Sequence, residues 1–79
     1  MTETPILVTG DDCHLCEHGR DVLAALAVDC HEVHVGGDEA AALAARGIPL
    51  TFLPVLTAGA RLIAYGRFSE RRLRRELGL

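Results

Sequence analysis

The stretch "PILVTGDDCHLCEHGRDVLAALAV", residues 5–28, contains two hydrophobic patterns that meet at a turn. Its first part, "PILVT" at 5–9, is a short apolar run that precedes "GDD", which is typical of a buried strand ending in a turn. Further on, apolar or small residues recur at helical spacing, namely Leu15, Gly19, Val22, Leu23 and Leu26. This spacing predicts an amphipathic helix that continues to about Val28. Cys13 and Cys16 stand where the predicted strand passes into the predicted helix.

The next segments repeat the alternation of strand and helix. "HEVHV" at 31–35 alternates polar and apolar residues, which predicts a second strand, and "GGD" then breaks the chain. Asp38 is a suitable N-cap for the alanine-rich "EAAALAAR", and Gly47 is a suitable residue to end that helix. The chain therefore begins strand, helix, strand, helix.

The last third of the chain predicts a hairpin and a helix. "LPVLTA" at 53–58 and "RLIAY" at 61–65 flank Gly59, as two antiparallel strands joined by a tight turn would. Ser69 is a suitable cap for a terminal helix in which Leu73 and Leu77 share one face.

The predicted order is βαβαββα, within a single domain spanning residues 1–79. A strand–helix–strand unit makes parallel strands through a right-handed crossover, whereas the hairpin adds antiparallel ones. We therefore expect an α/β fold with a four-stranded mixed sheet and helices on both faces.

Composition and charge exclude several classes of function. The 79 residues carry a net charge of −3 with a pI near 5.7, which argues against nucleic acid as a partner. No stretch resembles a secretory signal or a membrane span, so we expect a cytoplasmic protein with no membrane partner. Three cysteines are too few for a disulfide-stapled scaffold, and a close pair in a reducing compartment indicates catalysis or metal binding.

The cysteine pair has the spacing of a reversible disulfide. The first-turn N–H groups of a helix have no intrahelical partner and stabilise a thiolate, which favours Cys13 as the nucleophile. Cys16 lies about one turn further on, within reach of the Cys13 sulfur, and is the natural resolving cysteine. The helix start and a protonated His14 lower the pKa of Cys13, whereas Asp11 and Asp12 raise it. We expect a moderately activated thiol.

Zinc binding is the main alternative for the pair. Cys13, Cys16, His31 and His34 spell C-x2-C-x14-H-x2-H, close to zinc-finger spacing, and Cys30 is a further candidate ligand. However, two residues three apart on a strand point to opposite faces. The predicted helix also separates the two pairs by about 20 Å. Redox chemistry is therefore favoured, and we expect no metal ligands.

The remaining thiol and imidazoles have simpler interpretations. Cys30 is expected to be a small buried hydrophobic residue. His18 is expected on the solvent side of the helix, and His31 and His34 suit the surface of a strand as well as they suit metal ligation. His14, between the two cysteines, is a candidate for tuning the thiols or contacting substrate, with simple exposure as the alternative.

Three separated motifs add a family resemblance. "CHLCEHGRDVLAAL" at 13–26, "LPVL" at 53–56 and "YGRFSERRLRREL" at 65–77 resemble the small glutaredoxin-like proteins of the thioredoxin superfamily. The resemblance implies a thioredoxin-like (glutaredoxin) fold with a cis-proline at Pro54 facing the cysteine pair. The backbone of Leu53 would then face a bound thiol partner. Pro49 is the alternative position for that proline.

The resemblance is incomplete where glutathione would bind. Asp11 and Asp12 stand in place of the basic residue that glutathione-dependent relatives carry, and only Gly66 remains of a glycine pair. Ser69, at the start of the last helix, is left as a candidate to receive a carboxylate. Glutathione is therefore disfavoured as the reductant, and a thioredoxin reductase is the alternative.

Taken together, the sequence predicts a monomeric thiol–disulfide oxidoreductase that reduces protein or low-molecular-weight disulfides. It needs neither an organic cofactor nor a metal for that cycle. Two alternatives stay open: a zinc or iron–sulfur module built on the same cysteines, and an adaptor with a dithiol of low activity.

Overall fold

A computed structural model of the chain describes residues 4–79. The element order is βαβαββα, as the sequence predicts. The strands are Ile6–Thr9 (β1), His31–His34 (β2), Val55–Ala58 (β3) and Arg61–Tyr65 (β4). The helices are His14–Ala25 (α1), Asp38–Ala45 (α2) and Glu70–Leu77 (α3).

The four strands form one mixed sheet in the order β2-β1-β3-β4. β1 and β2 are parallel, with Thr9 beside His34, and β3 is antiparallel to both β1 and β4. In this register, the start of β3 lies at the same end of the sheet as the last residues of β1, β2 and β4. There Val55 of β3 pairs with Val8 of β1 and with Tyr65 of β4. The loops that follow β1, β2 and β4 and the segment that precedes β3 therefore meet at this end of the sheet.

Helices cover both faces of the sheet. Successive side chains of a strand point to alternate faces, so each strand can contribute to a separate cluster on either side. Leu7 and Leu56 pack with α1 and α3 in one cluster, which also contains Leu23, Leu26, Ile63, Phe68 and Leu73. Val8 and Val55 pack with α2 in the other cluster, which also contains Val33, Ala40, Leu43 and Ile48. The expected arrangement of helices on both faces is confirmed.

Helix α1 is shorter than its sequence pattern predicts. The apolar spacing extends to Val28, but the helix ends at Ala25 with Leu26 as its C-cap. Ala27 then adopts a left-handed φ of 57°, and the Val28 N–H donates to the Leu23 carbonyl oxygen at 3.0 Å. Val28 still packs on the core, so its apolar character reflects burial and not helical structure.

Two other predicted boundaries also differ. Asp38 is the first residue of α2 and Gly37 is the N-cap, with no side-chain cap hydrogen bond. The Asp38 carboxylate therefore contributes through its charge at the positive end of the helix. The third strand begins at Val55 instead of Leu53, and Pro54 has no N–H to donate to a neighbouring strand. By contrast, Ser69 caps α3 as predicted, its hydroxyl oxygen accepting from the Arg72 N–H at 3.3 Å.

Candidate thiol site

Cys13 lies at the junction between β1 and α1. After Thr9 the chain turns through Gly10–Asp12, and Asp12 adopts a left-handed φ of 50°, a conformation that aspartate tolerates better than most residues. Cys13 is the N-cap of α1, and its sulfur accepts a hydrogen bond from the backbone N–H of Cys16 at 3.1 Å. An N–H donor at the first turn of a helix stabilises negative charge on that sulfur when it is a thiolate.

Cys16 lies one turn along α1, and the two cysteines form a disulfide. Their Cα atoms are 5.2 Å apart, within the usual range for such a bond. The two residues differ in accessibility: Cys16 is 0% exposed, whereas Cys13 is partly exposed. Cys13 is therefore the cysteine of the pair that an external molecule can approach, whereas Cys16 is enclosed by the protein.

The segment before β3 lies against both the loop and the helix that carry the cysteines. A Cβ atom placed on Gly10 would lie 2.8 Å from Leu53 Cδ1, and one placed on Gly19 would lie 3.0 Å from Pro54 Cγ. Pro54 is buried, and the Leu53–Pro54 peptide bond is cis, at the position that the resemblance indicates. Pro49, the alternative, is exposed and does not follow a cis bond. Whether Leu53 and Pro54 contact a substrate stays a prediction.

The loop between β4 and α3 completes the surroundings of α1. The Gly66 N–H donates to the Pro54 carbonyl oxygen at 2.9 Å, which fixes this loop to the proline segment. Phe68 is 3% exposed, and its ring lies 3.1 Å from the place of a Cβ on Gly19. Its carbonyl oxygen is 3.2 Å from His18 Nε2, so His18 contacts this loop and is not the freely solvated residue that the sequence suggests. Nothing in the sequence pattern indicates a role for Phe68.

Ser69 and Gly66 border this loop, but their predicted binding roles are not tested by these contacts. The Ser69 hydroxyl is occupied as the cap of α3. Gly66 has a φ of 69°, and a Cβ there would meet no atom within 4 Å, so the glycine serves the backbone conformation. His14 is exposed on the first turn of α1, and its tuning or binding role likewise stays a prediction.

His34, the last residue of β2, contributes an imidazole to this side of the site. His34 Nε2 lies 3.3 Å from Asp11 Oδ1, and the Gly36 N–H donates to His34 Nδ1 at 2.9 Å. These two contacts hold the His34 ring between the end of β2 and the cysteine loop. The parallel pairing of β1 and β2 explains the contact, because it places both strand ends side by side.

Cys30 lies at the opposite end of the sheet from Cys13. It directly precedes His31, which pairs with Ile6 at the start of β1. Burial raises the pKa of the Cys30 thiol, and the charges of Glu32 and Asp29 raise it further. A raised pKa leaves less thiolate at neutral pH, so Cys30 is the less reactive kind of thiol.

An ion pair between Arg20 and Glu32 joins α1 to β2. The Arg20 guanidinium donates its Nε–H to both oxygens of the Glu32 carboxylate and an Nη2–H to one of them, the shortest contact being 2.7 Å. The Thr9 hydroxyl donates to the same carboxylate at 3.0 Å. Arg20, and to a smaller extent Thr9, hold the pKa of Glu32 below its ordinary value of 4.5.

Among residues 4–79, no three His, Cys, Asp or Glu side chains lie together in a way that could hold a metal ion. His31 Nε2 instead lies 2.9 Å from Glu39 Oε2 on α2, while His34 contacts the β1–α1 loop. The two histidines of the zinc-like spacing therefore have separate carboxylate neighbours.

Comparison of the chain with protein-family models finds no match, and comparison with curated proteins finds none either. Within the described range, none of the helices has the length and apolar character that crossing a membrane requires.

Proposed function

We propose that this chain is a thiol–disulfide oxidoreductase of the thioredoxin superfamily with a glutaredoxin-like topology. The sheet order β2-β1-β3-β4, with a parallel β1–β2 pair and an antiparallel β3–β4 pair, is compatible with that topology. The placement of α1 and α3 on one face and α2 on the other supports it as well. Within the three sequence motifs, Cys13, Pro54 and Gly66 lie at the same end of this sheet, around the start of α1.

One observation carries the proposal: two cysteines at bonding distance differ in accessibility. Cys13 is partly exposed at a helix N-terminus and receives an N–H donor, whereas Cys16 is fully buried beside it. The accessible sulfur suits attack on an external disulfide. The buried sulfur suits a second step that occurs within the protein.

The cycle then has two thiol–disulfide exchanges. The Cys13 thiolate attacks one sulfur of a substrate disulfide, a bond to that sulfur forms, and the other substrate sulfur leaves as a thiolate that takes up a proton. Cys16 next gives its proton to water and attacks the Cys13 sulfur, which releases the second substrate thiolate. That second thiolate also takes up a proton from water, so two electrons have passed from the protein to the substrate and the protein holds the Cys13–Cys16 disulfide.

Return to the dithiol requires two electrons from an external thiol or a reductase. Glutathione is an anionic thiol, and the exposed carboxylates of Asp11 and Asp12 oppose its approach. We therefore propose a reductase of the thioredoxin type as the electron donor, in the reducing environment of the cytoplasm. Each chain holds both cysteines, so a monomer suffices.

Trapping of the mixed disulfide tests the proposal. Three variants are prepared in a Cys30→Ser background: the background itself, Cys16→Ser and Cys13→Ser. Each is purified without oxygen, assayed for bound metal, and mixed with 2-hydroxyethyl disulfide before intact-mass measurement. We expect the Cys16→Ser protein to retain one substrate half on Cys13, because no second thiol can release it. The Cys13→Ser protein should remain unmodified, because Cys16 is buried.

The background protein should lose the mass of two hydrogen atoms and retain no adduct, since Cys16 resolves the intermediate. One metal ion per chain, together with no internal disulfide after oxidation, contradicts the proposal and supports the zinc or iron–sulfur alternative. A trapped adduct without turnover under any reductant contradicts the enzymatic part and supports the adaptor alternative.

A further inference from the structure

The surface next to the thiol site exposes most of the aromatic side chains of the protein. The chain has two phenylalanines, one tyrosine and no tryptophan. Phe52 is 65% exposed and Tyr65 is 56% exposed, with ring centroids 6.3 Å apart and planes inclined by 30°. Phe68 alone is buried. In a chain so poor in aromatic residues, two stacked and exposed rings indicate a contact surface.

These two residues, here called the aromatic patch, line a shallow groove. Pro49 and Thr51 form the rest of its wall, and its volume is about 220 Å³. That space accommodates one or two side chains of a partner. The groove is bordered mainly by carbon atoms, so an apolar or aromatic side chain suits it.

The aromatic patch is joined to the thiol site through the backbone. Phe52 directly precedes Leu53, whose side chain lies against Gly10 at the start of the cysteine loop. Tyr65 directly precedes Gly66, which donates to the Pro54 carbonyl oxygen. The partly exposed Leu53 therefore connects the patch to the cysteine loop, so the patch and Cys13 lie at the same end of the sheet.

The other side of Cys13 is acidic. Asp11 and Asp12 are exposed, and the Asp11 side chain is 87% exposed. No arginine or lysine occurs between residues 4 and 19, and the next basic residue, Arg20, is bound to Glu32. A partner with a basic side chain beside its disulfide meets a complementary charge here, whereas an acidic one is repelled.

We propose that the substrate is a disulfide within an extended polypeptide, with an apolar or aromatic residue on one side of its cysteine and a basic residue on the other. The apolar residue occupies the groove of the aromatic patch, and the basic residue lies beside Asp11 and Asp12. A polypeptide suits both features, because it carries an apolar side chain, a cysteine sulfur and a basic side chain along one chain. This inference rests on the proposed function and narrows its substrate class.

Peptides of matched length test it. Each contains one cysteine in mixed disulfide with 2-mercaptoethanol, flanked by Phe and Lys, Ser and Lys, Phe and Glu, or Ser and Glu, in both orders. The trapping protein is Cys16→Ser in the Cys30→Ser background, and the second-order rate of adduct formation is measured by mass spectrometry. We expect the better order of the Phe and Lys peptide to react about tenfold faster than the Ser and Glu peptide. Raising the salt from 0.1 M to 1 M should reduce the Lys against Glu difference, because the screening length falls to about 3 Å.

Variants assign each preference to its residues. Phe52→Ser combined with Tyr65→Ser should abolish the preference for Phe over Ser, whereas Leu79→Ser, which removes another exposed apolar side chain, should not. Asp11→Asn combined with Asp12→Asn should abolish the preference for Lys over Glu. Asp29→Asn, an identical change at the opposite end of the sheet, should preserve it.

The outcomes separate the two proposals. Equal rates for all peptides, together with reaction of the trapping protein with 2-hydroxyethyl disulfide, overturn the substrate inference and leave the proposed function standing. Failure of the trapping protein to react with any disulfide overturns the proposed function. The comparison among peptides uses one protein, so it stands even if a surface variant folds poorly.

Discussion

Cys13 and Cys16 are the same residue type, three positions apart, and their surroundings give them different chemistry. The N-cap position exposes the sulfur of Cys13 and directs the Cys16 N–H towards it. One helical turn further on, the side chain of Cys16 lies on the buried face of α1. Sequence spacing predicts that the two sulfurs can bond, and the burial pattern along the helix explains which of them meets the solvent first.

At the same scale, Glu32 and Arg20 give a testable contribution to stability. The pKa of Glu32 is lowered in the folded protein, so the folded state holds its proton less tightly than the unfolded state. The stabilisation is therefore complete above the ordinary value of 4.5 and is lost as the pH falls through the lower folded-state value. Both side chains are about two-fifths exposed, at 42% and 41%, so solvent screening keeps the effect small.

We expect Glu32→Gln to lower the free energy of unfolding by about 0.5–1 kcal/mol at pH 7. Urea denaturation of the oxidised protein from pH 7 to pH 3 measures this difference, which should shrink as the pH falls below 4.5. Arg20→Gln and the double variant complete a cycle that isolates the pair. A difference that is the same at every pH would show that the ion pair contributes nothing.

At the scale of elements, the close approach of α1 to its neighbours depends on one small residue. Gly19 lies on the buried face of the helix, where a Cβ would be 3.0 Å from the Pro54 ring and 3.1 Å from the Phe68 ring. Pro54 and Phe68 are themselves buried, so neither can move aside without disturbing the core. The helix that carries both cysteines is thus held against the proline segment through this contact.

Gly19→Ala should therefore destabilise the protein by about 1 kcal/mol, although alanine favours helix. The gain in helix propensity is roughly 1 kcal/mol, and overpacking a core typically costs about 1–3 kcal/mol. Ala24→Gly, an opposite change at an exposed position of the same helix, should also destabilise, by about 1 kcal/mol. Urea denaturation of both variants measures these values. A stabilising Gly19→Ala would contradict this, because it would show that a Cβ at residue 19 fits beside Pro54 and Phe68 without strain.

The elements themselves were largely predictable from the sequence, because hydrophobic spacing reports which face of a strand or helix is buried. The exact end of α1 was not, since the turn at Ala27 uses a left-handed residue without glycine. The role of Asp38 was also misassigned, because a capping aspartate and a first-turn aspartate look alike in sequence. Gly19 was placed on the correct face, but its reason, the approach of Pro54 and Phe68, depends on contacts between distant residues. The pairing of His34 with Asp11 follows from strand order and could not be read from either residue alone.

At the scale of the whole molecule, the two central strands of the sheet connect directly to the thiol site. β1 leads into the cysteine loop and β3 follows Pro54, and these two strands are hydrogen-bonded on both sides. β2 and β4 are the edges. Local opening starts where backbone groups have fewer partners, so the edges can open while the centre stays intact.

Hydrogen exchange should show this difference. We expect the amides of Leu7, Val8 and Leu56 to exchange only through global unfolding, with protection equal to the full free energy of unfolding. Paired amides of β2 and β4 should exchange at lower opening energies. Measurement by NMR with increasing urea distinguishes the two classes, because global opening responds steeply to denaturant and local opening does not. Equal protection in all four strands would contradict this view of the sheet.

The two edges also bear on how copies of this protein meet at high concentration. An exposed edge can recruit a strand from another molecule, and proteins discourage this with short edge strands and charged side chains. β2 has only four residues, and three of them, His31, Glu32 and His34, are polar and exposed. β4 begins with the exposed Arg61 and has a bulge in its pairing with β3. Short length, polar side chains and an irregular pairing therefore oppose strand-to-strand aggregation at the two edges of the sheet.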